Sequence, residues 1–183
     1  MQVTGRSGIW SRNLIFLAAA IFLLGLGTGL QNGVSTNYFK ELGLSNSQVL
    51  LQAGIREIPG LCLMFLAALV MHLPLTWRAV FSVLVMGVGY ALYATVHSWT
   101  ALVVVSLTAS LGFHLWMPLN SALGLSLASK ENSGKVLGTL AAVSALASMA
   151  GIGSILLFSN WFSLRTFAGI AGILIVGAAI VLS

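Results

Sequence analysis

Six apolar runs, each long enough to cross a lipid bilayer, constrain this chain more than any other feature. A helix rises about 1.5 Å per residue, so roughly 20 residues traverse the hydrocarbon core. Runs of that length fall at 13–35, 47–72, 77–96, 99–127, 135–158 and 163–182. Of the 183 residues, 58% are hydrophobic and 6% are charged, whereas a soluble domain carries about 25% charged residues. A core of this size has no room for that much apolar surface. The expected solvent is lipid, and the expected fold class is an all-α integral membrane protein, a bundle of six transmembrane helices forming a single domain.

The net charge of +5 does not point to nucleic acid, because the Lys and Arg residues are scattered between apolar runs rather than clustered on a solvated face. The one cysteine, Cys62, lies in an apolar run and has no internal disulfide partner. No zinc spacing, phosphate loop or hydrolase elbow occurs, so no metal, cofactor or catalytic residue is expected and the chain does not read as an enzyme. Arg6 and Arg12 precede the apolar run Leu14–Leu30. That run exceeds the roughly 7–15 residues of a signal peptide's apolar region and continues into Gln31-Asn32-Gly33, so it reads as an uncleaved first span.

Against this background the informative residues are the polar ones inside the runs. The second span holds Arg56 and Glu57 side by side, two of only eight basic and three acidic residues. A charge in lipid costs about 2.5–3.5 kcal/mol on insertion scales. Neighbouring residues on a helix point about 100° apart, so these two are expected to find partners on other helices rather than each other. Two uses are open: a solute, proton or gating role inside the bundle, or an Arg56 side chain that snorkels to the interface. Gln52 lies one turn before Arg56 on the same face. Pro59 removes the N–H that would bond the Ile55 carbonyl, so a kink is expected there. Ser45, with Gln48 three residues on, predicts a capping box at the start of the span.

Span one carries Gly25, Gly29 and Gly33 at four-residue spacing, a face suited to close helix approach. Gln31 and Asn32 follow, either as interfacial polarity or as a solute-facing helix end. Span four is interrupted by His114, Trp116, Pro118, Asn120 and Ser121. His114, Pro118 and Ser121 share one face and Trp116 and Asn120 another. His114 is open to two readings, a group that titrates near neutral pH or a hydrogen-bonded packing residue. Span three is bland apart from Ser82, Tyr90 and Tyr93 and is expected at the periphery. The connection His97-Ser98-Trp99 is so short that spans three and four should be antiparallel neighbours. Trp77 and Arg78 read as an interface anchor. Span five is rich in Gly, Ala and Ser, a composition of close packing rather than chemistry.

Loop charge sets the orientation. With the N-terminus cytoplasmic, the inner segments hold Arg6, Arg12, Arg78, Lys130 and Lys135, and the outer ones Lys40 and Arg165. The positive-inside rule therefore predicts N-in and C-in, in a plasma or bacterial inner membrane. Spans one to three and four to six have similar lengths. At an offset of 88 residues Asn32 falls on Asn120 and Ser45 on Ser133, which suits an inverted three-plus-three repeat.

With these features the chain resembles the N-terminal six-helix half of a major facilitator superfamily transporter over essentially its whole length. The likeness rests on six spans with N-in topology, the long polar-ended first span, the Leu42-Gly43-Leu44-Ser45 lead into the second, and the basic loop before a small-residue fifth span. The loop between spans two and three, Met71 to Arg78, keeps Arg78 of the family's motif but has neither its Asp nor its Gly. The resemblance implies a secondary active transporter that moves a small solute by alternating access, with a second six-helix half beyond Ser183. It implies that spans one and four line a central cavity, two and five meet the other half, and three and six face lipid. Gln31, Asn32, His114 and Asn120 would then be cavity donors and acceptors. Glu57 would be the proton-coupling or gating carboxylate, and Arg56 would hold an anionic solute or a partner carboxylate. The alternative is a complete six-helix exporter or channel subunit working as a homodimer. An intramembrane hydrolase is disfavoured, because His114 and Ser121 lie about 10 Å apart along the helix axis.

Overall fold

The structure, a computed structural model, describes residues 10–183; Arg6 of the expected cytoplasmic cluster lies outside them. The described chain is helical from end to end. It forms α1 (Arg12–Glu41), α2 (Asn46–Arg56), α3 (Ile58–Leu61), α4 (Leu63–Val70), α5 (Leu75–Leu92, continued by a 3-10 turn Tyr93–Thr95), α6 (Trp99–Ser126), α7 (Ser133–Phe158) and α8 (Leu164–Leu182). Five of these, α1, α5 with its turn, α6, α7 and α8, are long and apolar enough to cross a membrane, and α2 to α4 make a sixth if that bent segment is one span. The chain thus has the architecture of a multi-pass membrane protein.

Local chemistry sets the helix ends. Ser11, Ser98 and Ser163 accept hydrogen bonds from the first-turn N–H groups of Leu14, Ala101 and Thr166. α1 stops because Gly43 takes a φ of 83°. The N–H groups of Gly43 and Leu44 then close back on the carbonyls of Lys40 and Phe39, the Schellman arrangement that glycine accommodates without strain. Ser45 and Gln48 form the expected capping box. The repeat-related cap does not form. Ser133 is the first residue of α7 rather than its cap, the cap position belongs to Asn132, and the Ser133 hydroxyl donates to the Lys130 carbonyl instead.

The second span is broken rather than kinked once. Helical bonding stops at Glu57, Pro59 sits in the first turn of α3, and a further bend of 50° follows at Cys62. Below that bend α4 buries no residue and stands off α6. A groove of about 500 Å³ opens there, walled by Ala67 and Val70 on one side and Leu115 and Pro118 on the other.

Close backbone approach organises the remaining helices. α1 packs along α7 and α8, and α5 packs along α6 and α8. A Cβ on Gly25 would come within 2.7 Å of the Ser144 carbonyl oxygen, and one on Gly29 would strike the Ser148 carbonyl. Gly151 of α7 meets the Leu26 carbonyl in the same way. The glycine stripe of span one therefore serves the α7 seam. Gly112 lets α6 approach Met86 of α5, and Gly172 lets α8 approach Ala91. Span three is peripheral on one face only, where Phe81, Leu84 and Val88 are exposed. α5 buries Val83, Met86, Tyr90 and Tyr93 because it is wedged between α6 and α8. Of the five long helices α7 is the most open, with Leu146, Met149, Leu156 and Leu157 all exposed.

Candidate functional site

α2 and α6 meet through polar groups rather than apolar ones. Ser106, Ser110 and His114 recur every four residues on α6, so they stand one above another on a single face. Gln52 and Arg56, also four apart, oppose them from α2. The Gln52 amide donates to the Ser106 hydroxyl. That hydroxyl is 2.5 Å from the Tyr93 hydroxyl, and the Tyr38 hydroxyl donates to the Tyr93 carbonyl at 2.6 Å. Gln52, Ser106, Tyr93 and Tyr38 are all buried, so α1, α2, α5 and α6 are joined by a continuous internal chain of polar contacts. One turn further along, the Ser110 hydroxyl donates to the Arg56 carbonyl, an acceptor at the break between α2 and α3.

At that break the two charges diverge. Glu57 Oε2 lies 3.3 Å from His114 Nε2 on α6. The imidazole packs over Gly60, where a Cβ would come within 2.7 Å of the ring, so only glycine leaves room for this contact. Pro118 lacks the N–H that would bond the His114 carbonyl, yet α6 runs on unbroken. Arg56 turns the other way. It lines a cavity of about 80 Å³ together with Thr28 and Asn32 of α1, Tyr90 of α5, and Ser110 and Phe113 of α6. Arg56 makes no ion pair among the described residues. It is half-buried.

The sequence-derived candidates thus separate. Asn32 and Arg56 meet at the cavity, and Glu57 meets His114 beside it. Gln31 is only 1% exposed, with its amide oxygen unpartnered. It lies one turn beyond Gly27, which packs on Ala171 and Ile175 of α8, and so faces away from Asn32. Asn120 also has a buried, unpartnered amide oxygen and does not line the cavity. The face assigned to His114 with Pro118 and Ser121 is less informative than its continuation upstream, Ser106 and Ser110. Those serines, with Thr28, Tyr90, Tyr93 and Tyr38, are absent from the sequence-derived set. Their one sequence signal is the matched four-residue spacing of Gln52–Arg56 and Ser106–Ser110–His114.

A second polar cluster ties helix ends together. His97 Nδ1 is 2.6 Å from the Thr95 carbonyl, and Arg165 Nη1 is 2.8 Å from His97 Nε2. Arginine only donates, so Nε2 is the acceptor and the ring proton sits on Nδ1. Arg165 also lies 5.9 Å from the centre of the Tyr38 ring. The α5–α6 connection, the start of α8 and the end of α1 are thereby linked. Among the described residues no group of three or more His, Cys, Asp or Glu side chains is placed to hold a metal ion. The chain matches no protein-family model and no curated protein.

Proposed function

We propose that this chain is the six-helix unit of a secondary transporter, similar to a major facilitator superfamily permease, which moves a small solute by alternating access coupled to protons. The observation that carries the reading is the pair Glu57–His114. Glu57 is the one acidic residue within the six apolar runs, and 59% of its side chain is exposed while it touches His114. Ionisable groups within a membrane span face a bundle interior or a water-filled path, not lipid. The face that bears Glu57 and the exposed Asn32 is therefore read as the wall of an aqueous pathway closed by a second unit. A carboxylate and an imidazole in contact at such a wall are suited to taking up and releasing a proton. Ser110, one turn from His114, gives its hydroxyl proton to the Arg56 carbonyl, which speaks for structure rather than for a nucleophile and favours a carrier over an enzyme.

Helix pairing supports the three-plus-three repeat. Exchanging span one with four, two with five and three with six turns the α1–α8 contact into α6–α5, turns the α1–α7 contact into α6–α2, and returns α5–α8 to itself; all of these pairs occur. In this reading the N-terminus is cytoplasmic, in a plasma or bacterial inner membrane, and the partner is a second six-helix half or a second copy. Proteoliposomes holding the protein, offered a panel of labelled small solutes with and without an imposed pH gradient, test it. Saturable, gradient-stimulated uptake that loses its gradient dependence in Glu57→Gln is expected. Uptake whose gradient dependence survives Glu57→Gln removes Glu57 from the mechanism. Non-saturable flux with discrete single-channel currents would move the homodimeric channel reading ahead.

A further inference from the structure

The cavity beside the Glu57–His114 pair has a lining of one chemical character. Arg56 supplies a guanidinium with no carboxylate partner among the described residues. Asn32 and Tyr90 line the same cavity and bring an amide and a hydroxyl to it. Thr28 and Ser110 have their hydroxyl protons committed to backbone carbonyls, Thr28 to Leu24 and Ser110 to Arg56. No acidic residue lines the space, and Phe113 supplies an apolar wall. A positive charge with an amide and a hydroxyl beside it, in a small cavity between a half-buried Arg56 and an exposed Asn32, is an incomplete set. It lacks an anion.

From this geometry we infer that the cavity is a binding site for the carboxylate group of a small organic anion, held by the Arg56 guanidinium with Asn32 and Tyr90 as further donors. A planar guanidinium matches a carboxylate through two parallel hydrogen bonds, and an 80 Å³ cavity takes such a head group rather than a large solute. The neighbouring carboxylate does not compete, because Glu57 is turned to His114 on the other side of the helix break. The inference rests on the transport reading for its biological meaning, since it names the class of solute that such a carrier would take. As a statement about binding it stands apart from that reading.

The test uses the whole chain in nanodiscs of deuterated lipid and reads saturation-transfer NMR on the methyl signal of two probes of equal shape, acetate and acetamide. Binding of acetate with at least tenfold preference over acetamide is expected. Arg56→Gln should weaken acetate binding about tenfold or more, the loss for a charge-assisted hydrogen bond removed. Tyr90→Phe, which keeps the ring and removes one donor, should weaken it by a smaller factor, and it serves where Arg56→Gln fails to fold. Equal binding of the two probes, no acetate binding, or acetate binding unchanged in both variants would overturn the inference. Uptake of labelled acetate by proteoliposomes separates the two readings. Arg56-dependent binding without uptake leaves the anion site standing and removes the transport reading. Saturable uptake of uncharged solutes, indifferent to Arg56, does the reverse.

Discussion

At the scale of single residues, small side chains do the deciding, because what each one faces sets the cost of enlarging it. Gly29 faces the backbone carbonyl of Ser148 on α7, which moves only if the helix moves. Gly29→Ala is expected to destabilise the protein by about 1–3 kcal/mol, the usual cost of overpacking, and to lower the midpoint of thermal unfolding in detergent. Gly60 faces the His114 imidazole, which swings aside more easily. Gly60→Ala is therefore expected to keep the fold and lose the Glu57 contact. Its imidazole NMR signals should then match those of Glu57→Gln, and signals unchanged from the wild type would mean that the ring stays in place. Ser106 is the third such residue, because it stands between two buried polar groups. Ser106→Ala leaves the Gln52 amide and the Tyr93 hydroxyl without this partner. A loss of about 1–3 kcal/mol is expected, smaller in a Gln52→Leu background, and a double-mutant cycle of unfolding measurements reads the coupling.

At the scale of elements, the second span behaves differently from the others. α1, α5, α6, α7 and α8 are continuous helices whose ends follow serine caps, a glycine stop or a polar connection, all of them local signals. The second span has a local signal for its start, and Ser45→Ala should cost about 1 kcal/mol through loss of the capping box, read as faster amide exchange in the first turn of α2. Its middle obeys no such signal. Pro59 forbids one hydrogen bond, but the 50° bend sits at Cys62, where α4 has left the α6 surface. The helix goes where α6 offers polar partners and departs where it offers none. The expectation of a bland, peripheral third span holds for one face of α5 and fails for the other. The packing of α5 between α6 and α8 turns Tyr90 and Tyr93 inward.

At the scale of the whole molecule, the open surfaces of α7 and of the Glu57 face bear on assembly. Ala145 of α7 is exposed beside Leu146 and Met149, whereas Ile173 of α8 is exposed on a helix that the transporter reading turns toward lipid. A benzophenone carried on Ala145→Cys, in a Cys62→Ser background, should cross-link to protein in native membranes, and the same probe on Ile173→Cys should form lipid adducts. Lipid adducts at both positions would remove the second unit from the reading. What the sequence determined by itself was the set of membrane-length apolar segments, their approximate bounds and the capping box at Ser45. Those properties depend on runs of apolar residues and on side chains within one turn of each other. It also determined that Arg56 and Glu57 must diverge, because a helix turns about 100° per residue. Tertiary structure alone decided where each charge went, which serines joined them, that Asn32 meets the cavity and that Gln31 turns away from it. Those outcomes depend on how four helices rotate about their own axes, and that rotation is set by glycine contacts between segments far apart in the chain.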